Sequence, residues 1–332
     1  MEKVMWGIMS AANIAYEQLL PALRQSSRSE VVAIASRSKE KVARFNIPKV
    51  YSDYDQLLED ESIDVVYIPL PNALHAEWAI KAAQKGKHIL VEKPAAVSTK
   101  ELLKVQEAVE QNNVIFMEAF MYQFHKQHAR VKDLLASGMI GSILHVKSHF
   151  SWSLQDRDDI RLNPALGGGA MWDVGCYGVH AMSQIIGIKP EKVVMLGEDD
   201  PEHKVDMLST CIFVDEFGRT AEITASMKLP FINRYEIIGE RGTILVDSSF
   251  RPDVSSDQKG KVIVKDDNNE IILFETYKDN QYFNQVEHVN DCIINGKQPV
   301  YGIRNSIQVI HYIEKGYESL RNQSVVTSLN KF

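Results

Sequence analysis

The chain has 332 residues, 45% of them hydrophobic and 24% charged, with a net charge of −7. That length implies two domains with full cores, and the lack of any basic excess excludes nucleic acid as a main partner, while the acidic balance speaks against a membrane face. No apolar run reaches a membrane span, the N-terminus enters a strand directly, and Cys176, Cys211 and Cys292 lack metal-ligand spacing, so the expectation is a cytoplasmic protein with buried thiols and no metal.

Val4 to Met9 reads as a buried strand, Ser10-Ala11-Ala12 as a turn of small residues, and Ile14 to Arg24 as a helix. Strand, tight turn and helix is how a βα unit offers backbone N–H groups to a pyrophosphate. The glycine fingerprint is degraded: where G-x-G-x-x-G/A would fall stands Ser10-Ala11-Ala12-Asn13-Ile14-Ala15, with Ser and Ala replacing the first two glycines. Taken alone, an ordinary strand-helix turn explains it as well. Alternation then continues through a strand over 31–35, a helix from Lys39, a strand near Val50 and a strand over 65–68. A helix over 74–85, a strand ending at Val91, a helix after the capping-box pair Ser98 and Glu101, and a strand over 114–117 complete the series. Such repetition predicts a parallel, doubly wound sheet.

The end of the second strand is where a dinucleotide's adenosine ribose is read. It carries Ser36-Arg37-Ser38 with Lys41 a turn later, and no acid for a 2′-hydroxyl. These residues attract a 2′-phosphate, so the expected cofactor is NADP, with NAD possible. After the fourth strand comes Leu70-Pro71-Asn72 followed by His75. Asn72 serves as a helix cap, and His75 is read either as a helix-start histidine or as a cofactor-side residue. The fifth strand exits into Glu92-Lys93-Pro94, a carboxylate, an amine and a proline at the edge where an open α/β sheet binds its ligands. Pro94 restricts Lys93, and their peptide bond is of a type that can be cis. A surface lysine on a turn is the plain alternative.

From Leu144 the pattern changes to long strands over 144–152, 205–214, 220–229 and 234–239. In the third, Ala221, Ile223, Ala225 and Met227 alternate with Glu222, Thr224, Ser226 and Lys228. An α+β second domain with a large, mostly antiparallel sheet follows, and its other face is expected to be either solvated or a subunit interface. The division is 1–120 for the dinucleotide-binding domain and 121–332 for substrate binding and oligomerisation. Ser248 to Gly260 reads as the least ordered stretch. One segment stands apart: Gly167-Gly168-Gly169, then a helix on which Asp173, Tyr177 and His180 share a face. Arg157, Arg161 and Asn163 precede it and suit a hydroxylated ligand, although a loop this polar is often simply solvated.

These motifs resemble the glucose-fructose oxidoreductase / inositol dehydrogenase (Gfo/Idh/MocA) family. The residues that carry the resemblance are Trp6-Gly7-Ile8 with Asn13-Ile14-Ala15, Ala35-Ser36-Arg37, Pro71-Asn72 with His75, Glu92-Lys93-Pro94, Glu118-Ala119-Phe120-Met121-Tyr122, and Leu166 to Tyr177. The resemblance implies a Rossmann domain followed by an open-faced α/β substrate domain, with Lys93 as the family's catalytic lysine. In the inositol-type branch an Asp-x-x-x-His pair accompanies it. Here the pair is Asp173 and Tyr177, which looks like the NADP-dependent aldose dehydrogenases, dihydrodiol dehydrogenases and glucose-fructose oxidoreductase. Gln123 and His125-Lys126, where that branch often has Arg and His-Pro, and His180 depart from the pattern on the substrate side.

The implied chemistry is hydride transfer between NADP and a carbinol or carbonyl carbon of a sugar or polyol. A dihydrodiol or dicarbonyl substrate is the alternative, and a catalytically silent dinucleotide-binding sensor is the reading from another class. Tyr177 is expected to take the hydroxyl proton, with Lys93 favouring its phenolate. Asp173 orients a substrate hydroxyl, His180 is a secondary ligand or relay, and Lys93 as the proton carrier itself is the reverse assignment. Glu92 completes the expected cofactor face.

Overall fold

The computed structural model describes residues 3–329, which fall into two compact units. The first consists of the residues up to Met121 together with Gln281–Gln308, and the second of Tyr122–Asn280 with the residues from Val309 onward.

Six parallel strands form the first unit's sheet: β1 (Val4–Met9), β2 (Ser29–Ala35), β3 (Lys49–Tyr51), β4 (Val65–Ile68), β5 (His88–Val91) and β6 (Phe116–Glu118), in the order β3-β2-β1-β4-β5-β6. The doubly wound expectation holds. Every residue of β4 is buried, because helices cover both faces of a parallel sheet and leave no polar side for alternation. Ser98 starts the helix Thr99–Gln111 as predicted, but its side chain makes no capping bond.

The span 121–332 contains Gln281–Gln308, and this stretch packs with the first unit. The helix Gln281–Asn295 buries Val286, Val289 and Cys292, and packs on β1 and on the first helical segment. A buried polar network fixes its register: the Trp6 indole N–H donates to Asn290 Oδ1 at 3.1 Å, and Asn290 Nδ2 donates to Ser29 Oγ at 2.8 Å. Arg28 pairs with Glu287 at 2.7 Å beside it. An orphaned buried indole N–H would cost about 1–3 kcal/mol, so Trp6 holds the helix by need as well as by area.

The second unit is built on nine strands, β7 (Ile143–Ser151), β8 (Pro190–Asp199), β9 (Asp206–Asp215), β10 (Thr220–Ser226), β11 (Ile232–Gly239), β12 (Gly242–Asp247), β13 (Gly260–Asp266), β14 (Ile271–Tyr277) and β15 (Thr327–Ser328). Their order is β14-β13-β12-β11-β7-β10-β9-β8-β15, antiparallel throughout except for the pair β10 and β7. The predicted alternation in β10 holds as far as Ala225, with Ala221, Ile223 and Ala225 buried and Glu222 and Thr224 half-buried, and breaks at Ser226, which is buried with its hydroxyl donating to the Met207 carbonyl at 3.0 Å.

A helix over 171–186 lies on the buried face of this sheet, wound as a π-type turn at each end around the α-helical Cys176–His180. Its glycines let it approach: a Cβ on Gly178 would meet Ile223 Cγ2 at 2.6 Å and Ser148 Oγ at 2.7 Å. The stretch Ser248 to Gly260, read as the least ordered, is anchored at its start. Phe250 is fully buried, its N–H donates to Asn233 Oδ1 at 2.8 Å, and Gln127 Nε2 donates to the Ser249 carbonyl at 2.9 Å. Its Ser, Asp and Pro content signalled turns, and a single aromatic residue outweighed them.

Candidate active site

The first unit's functional turns all leave the carboxyl ends of its strands. Ser10, at the position of the fingerprint's first glycine, has φ 114°, a region a side chain rarely adopts, and its N–H donates to the Ala35 carbonyl at 2.8 Å. Ala11 is buried, Ala12 and Ile14 are half-buried, and Asn13 is exposed with its Oδ1 accepting from Arg44 at 2.7 Å. Arg44 also lies over the Tyr16 ring at 4.4 Å, so it braces this turn; sequence reading missed it because it sits three residues beyond Lys41. Arg37 and Lys41 are exposed at the end of β2, and Ser36 and Ser38 shape the turn between them by accepting backbone N–H groups. Two exposed cations beside a turn of small residues fit a phosphorylated dinucleotide.

The Lys93 turn is held from three sides. Glu92 Oε1 accepts the Tyr67 hydroxyl at 2.5 Å and its Oε2 accepts the Lys93 N–H at 3.3 Å. Glu118, fully buried, accepts the Ala95 N–H at 2.8 Å and the Tyr301 hydroxyl at 3.3 Å. His75, also fully buried, sets its two ring nitrogens 2.7 Å from the Pro94 and Leu70 carbonyls. It therefore ties the Lys93 turn to the Leu70–Pro71 loop and presents no surface of its own. Burial pushes the ring towards its neutral form, down to about 4; the two carbonyl contacts oppose this and the Lys93 ammonium adds to it. Leu70 is buried, Pro71 and Asn72 are half-buried, and the Lys93–Pro94 bond is cis.

Burial raises the Glu118 carboxyl to about 7, against the bonds from Ala95 and Tyr301, with Glu92 adding to the rise. Because this value lies above the ordinary 4.5, folding takes up a proton, and the stability it contributes is complete below the ordinary value and lost as pH rises through 7. Glu118→Gln, which cannot ionise, is expected to remove about 3 kcal/mol of pH dependence at most between pH 5 and pH 8. Denaturant midpoints of both proteins at the two pH values check this; parallel slopes would exclude Glu118 as the source.

In the second unit the helix over 171–186 presents Asp173 and Tyr177, 8% and 5% exposed. Asp173 forms an ion pair with Arg161, Nε to Oδ2 3.1 Å, and Arg161 also holds Asp159 through Nη1 at 3.2 Å. The Asp173 charge is the largest cause raising the guanidinium's already high pKa, ahead of burial, which lowers it. Arg161 further sits over the Trp152 ring at 5.5 Å. Tyr177 lies among aromatic rings, with centroids at 5.3 Å for Phe150, 5.4 Å for Phe250 and 5.7 Å for Tyr122. Neither phenylalanine carried a signal in sequence, since each belongs to another element.

His180 is fully buried, its Nδ1 2.5 Å from the Tyr122 hydroxyl, and burial holds it well below the usual histidine range, with Lys132 and His128 adding to the effect. A neutral, enclosed imidazole packs the helix and offers no face for a ligand. Asn163 caps the short turn Pro164–Leu166 through the Ala165 N–H at 3.0 Å, and Arg157 pairs at the surface with Glu202 at 3.2 Å. No helix of the described residues is long and apolar enough to cross a membrane.

Residues 4–120 match the oxidoreductase family with an NAD-binding Rossmann fold, GFO/IDH/MocA, and residues 128–245 match the GFO/IDH/MocA C-terminal domain. The chain belongs to the GFO/IDH/MocA oxidoreductase family. Within it, the chain is 34% identical over 329 residues to D-xylose 1-dehydrogenase (NADP(+)) 2 of Haloferax volcanii, covering 97% of this chain and 99% of that one. It is 28% identical to trans-1,2-dihydrobenzene-1,2-diol dehydrogenase of Xenopus tropicalis, covering 95% and 97%. Among solved structures, KijD10, a 3-ketoreductase from Actinomadura kijaniata in complex with NADP and TDP-benzene, superposes with a TM-score of 0.87 at 27% identity, covering 97% and 98%.

Proposed function

We propose that this family member is an NADP-dependent oxidoreductase that transfers a hydride between the nicotinamide and a carbinol or carbonyl carbon of a sugar, polyol or related hydroxylated compound. The observation that carries the reading is the Lys93 turn at the exit of β5, gripped by Glu92, Glu118 and His75. A lysine so firmly placed at the ligand edge of a doubly wound sheet is a chemical group, not a solvated ornament. The xylose dehydrogenase and dihydrodiol dehydrogenase relatives support a vicinal hydroxylated substrate.

When bound, the nicotinamide supplies the hydride chemistry at C4. Ser10 to Ile14 receive the pyrophosphate, and Arg37 with Lys41 the 2′-phosphate. Tyr177 exchanges the proton at the substrate oxygen. A tyrosine's ordinary pKa, about 10, leaves that group protonated near neutrality, and a cation beside it in the loaded site would favour the phenolate. Asp173, paired with Arg161, accepts from a second substrate hydroxyl and so orients the sugar.

NADPH and NADH binding followed by fluorescence, then turnover of NADP with D-xylose, D-glucose, myo-inositol and a trans-dihydrodiol, test the reading. NADPH is expected to bind at least about tenfold tighter than NADH, and Arg37→Ala to remove most of that difference. Binding without turnover across the panel would move the protein to the sensor class, and no dinucleotide binding would end the proposal.

We further infer a cytoplasmic homo-oligomer, supported by three buried cysteines outside any disulfide and by the second sheet's open face. One row of that face runs Ile212, Glu222, Lys147, Glu236, Leu245, Ile263 and Phe274, an alternation of charge flanked by apolar residues that can complement its own copy. Light scattering is expected to give a dimer or larger, and Lys147→Glu, which makes the centre of the row uniformly acidic, to dissociate it; a wild-type monomer would refute the assignment.

A further inference from the structure

The helix over 171–186 lacks a cap of its own. Ala170, at its N-cap, has no polar side chain, and Gly169 before it, with φ +123°, has no side chain to offer the first turn. The missing acceptor comes from another strand. Asp206, first residue of β9 and 1% exposed, accepts the Met171 N–H at 2.9 Å and the Ser209 hydroxyl at 2.6 Å through Oδ2, and the Tyr317 hydroxyl at 2.6 Å through Oδ1. A Cβ on Gly169 would lie 2.8 Å from the Tyr317 hydroxyl and run into the Asp206 carboxylate, so the glycine makes the room that this cap occupies. Tyr317 in turn stacks on Trp172, ring centroids 5.3 Å apart at 25°.

We propose that Asp206 is a positioning residue for the reaction: its carboxylate serves as the N-cap of the helix that presents Asp173 and Tyr177, and thereby sets the height and rotation of both side chains. The inference rests on the reading of those two as substrate-handling groups. An N-cap side chain ordinarily stands immediately before its helix and satisfies one of the orphaned first-turn N–H groups. Here the acceptor lies 35 positions away in sequence, so the helix start is fixed to the sheet instead of to its own loop. A negative group at this end also suits the helix dipole. Burial raises the Asp206 carboxyl to about 6, against the bonds from Ser209, Tyr317 and Met171, with Asp199 adding to the rise; at neutral pH it remains an ionised acceptor. Met171 and Tyr177 are joined by fewer than two helical turns, so a shift at the cap is passed to the phenol with little loss.

Native-state hydrogen exchange over 169–177 and steady-state kinetics with NADP and the compound turned over fastest in the panel above are to be measured together on the full chain. In Asp206→Ala, exchange at the first helical turn is expected to rise and kcat to fall, each at least about tenfold, with KM for NADP within about twofold. Asp206→Asn keeps an acceptor oxygen for Met171 and is expected to return both to within about threefold of wild type. Unchanged exchange in Asp206→Ala overturns the proposal, as does faster exchange with unchanged kcat, or an Asn variant no better than Ala. Should Asp206→Ala fail to fold, Tyr317→Phe takes its place, with a smaller rise in exchange and fall in kcat expected and no change in either refuting the cap. If wild type turns over nothing, the functional reading fails separately, and the exchange rates alone decide whether Asp206 caps the helix.

Discussion

Lys93→Ala is expected to lower kcat/KM for the oxidised sugar or polyol by about a thousandfold or more, and Tyr177→Phe by about a hundredfold to ten-thousandfold. The two losses differ in origin. Phenylalanine keeps the ring that packs against Phe150 and Phe250 and removes only the hydroxyl, so its effect belongs to the proton and not to the fold. Alanine at position 93 removes an ammonium from a turn whose main chain stays fixed by Glu118 and Glu92, so the turn itself is expected to persist. The pH profile separates the roles. If Lys93 holds Tyr177 as phenolate, the alkaline activity of Lys93→Ala recovers as the phenol approaches its ordinary pKa of about 10. The double variant is then expected to be little worse than the poorer single one, because residues acting on one proton do not add. Near-normal turnover by Tyr177→Phe would pass the proton to Lys93, and near-normal turnover by Lys93→Ala would dismiss both assignments.

Gly169→Ala is expected to destabilise the second unit by about 3 kcal/mol and to lower kcat with it. Two independent costs meet there. A φ of +123° is strained for any side chain, at about 1–2 kcal/mol. The added methyl would also contact the Tyr317 hydroxyl and the Asp206 carboxylate, which cannot both retreat from a packed interior. A denaturation midpoint within error of the wild type would mean that the segment relaxes freely, contrary to the packing described.

Much of this was open to reading from residue order. The strand Val65–Ile68 was predicted to the residue, because a continuous run of β-branched and aromatic residues between turn signals admits little else. The Lys93 turn, the exposed Arg37 and the helix carrying Asp173 and Tyr177 likewise follow from local pattern. What escaped depends on partners far away in the chain. His180 looked polar and available because its spacing matched Tyr177, yet Tyr122, 58 positions earlier, encloses it. His75 looked like a ligand-side imidazole, and two carbonyls claim both of its nitrogens. Phe250 sat in a stretch whose composition signalled a loose loop. The return of Gln281–Gln308 to the first unit rests on contacts such as the Trp6–Asn290 indole–amide bond across 284 positions and the Arg28–Glu287 pair, which no window of sequence contains.

That return has a consequence for how the protein is made. The ribosome delivers all six strands of the parallel sheet before residue 121, but the helix bearing Asn290 is only translated after the whole span of Tyr122–Asn280. At about 5–20 residues per second, the nascent sheet waits on the order of ten seconds or longer with Trp6 lacking its partner. The second unit also receives its helical segment beyond Val309 late. Neither half can finish folding before the chain is nearly complete, so a stalled or truncated product shorter than about residue 310 is expected to be a substrate for chaperones and proteases, not a free-standing dinucleotide-binding domain.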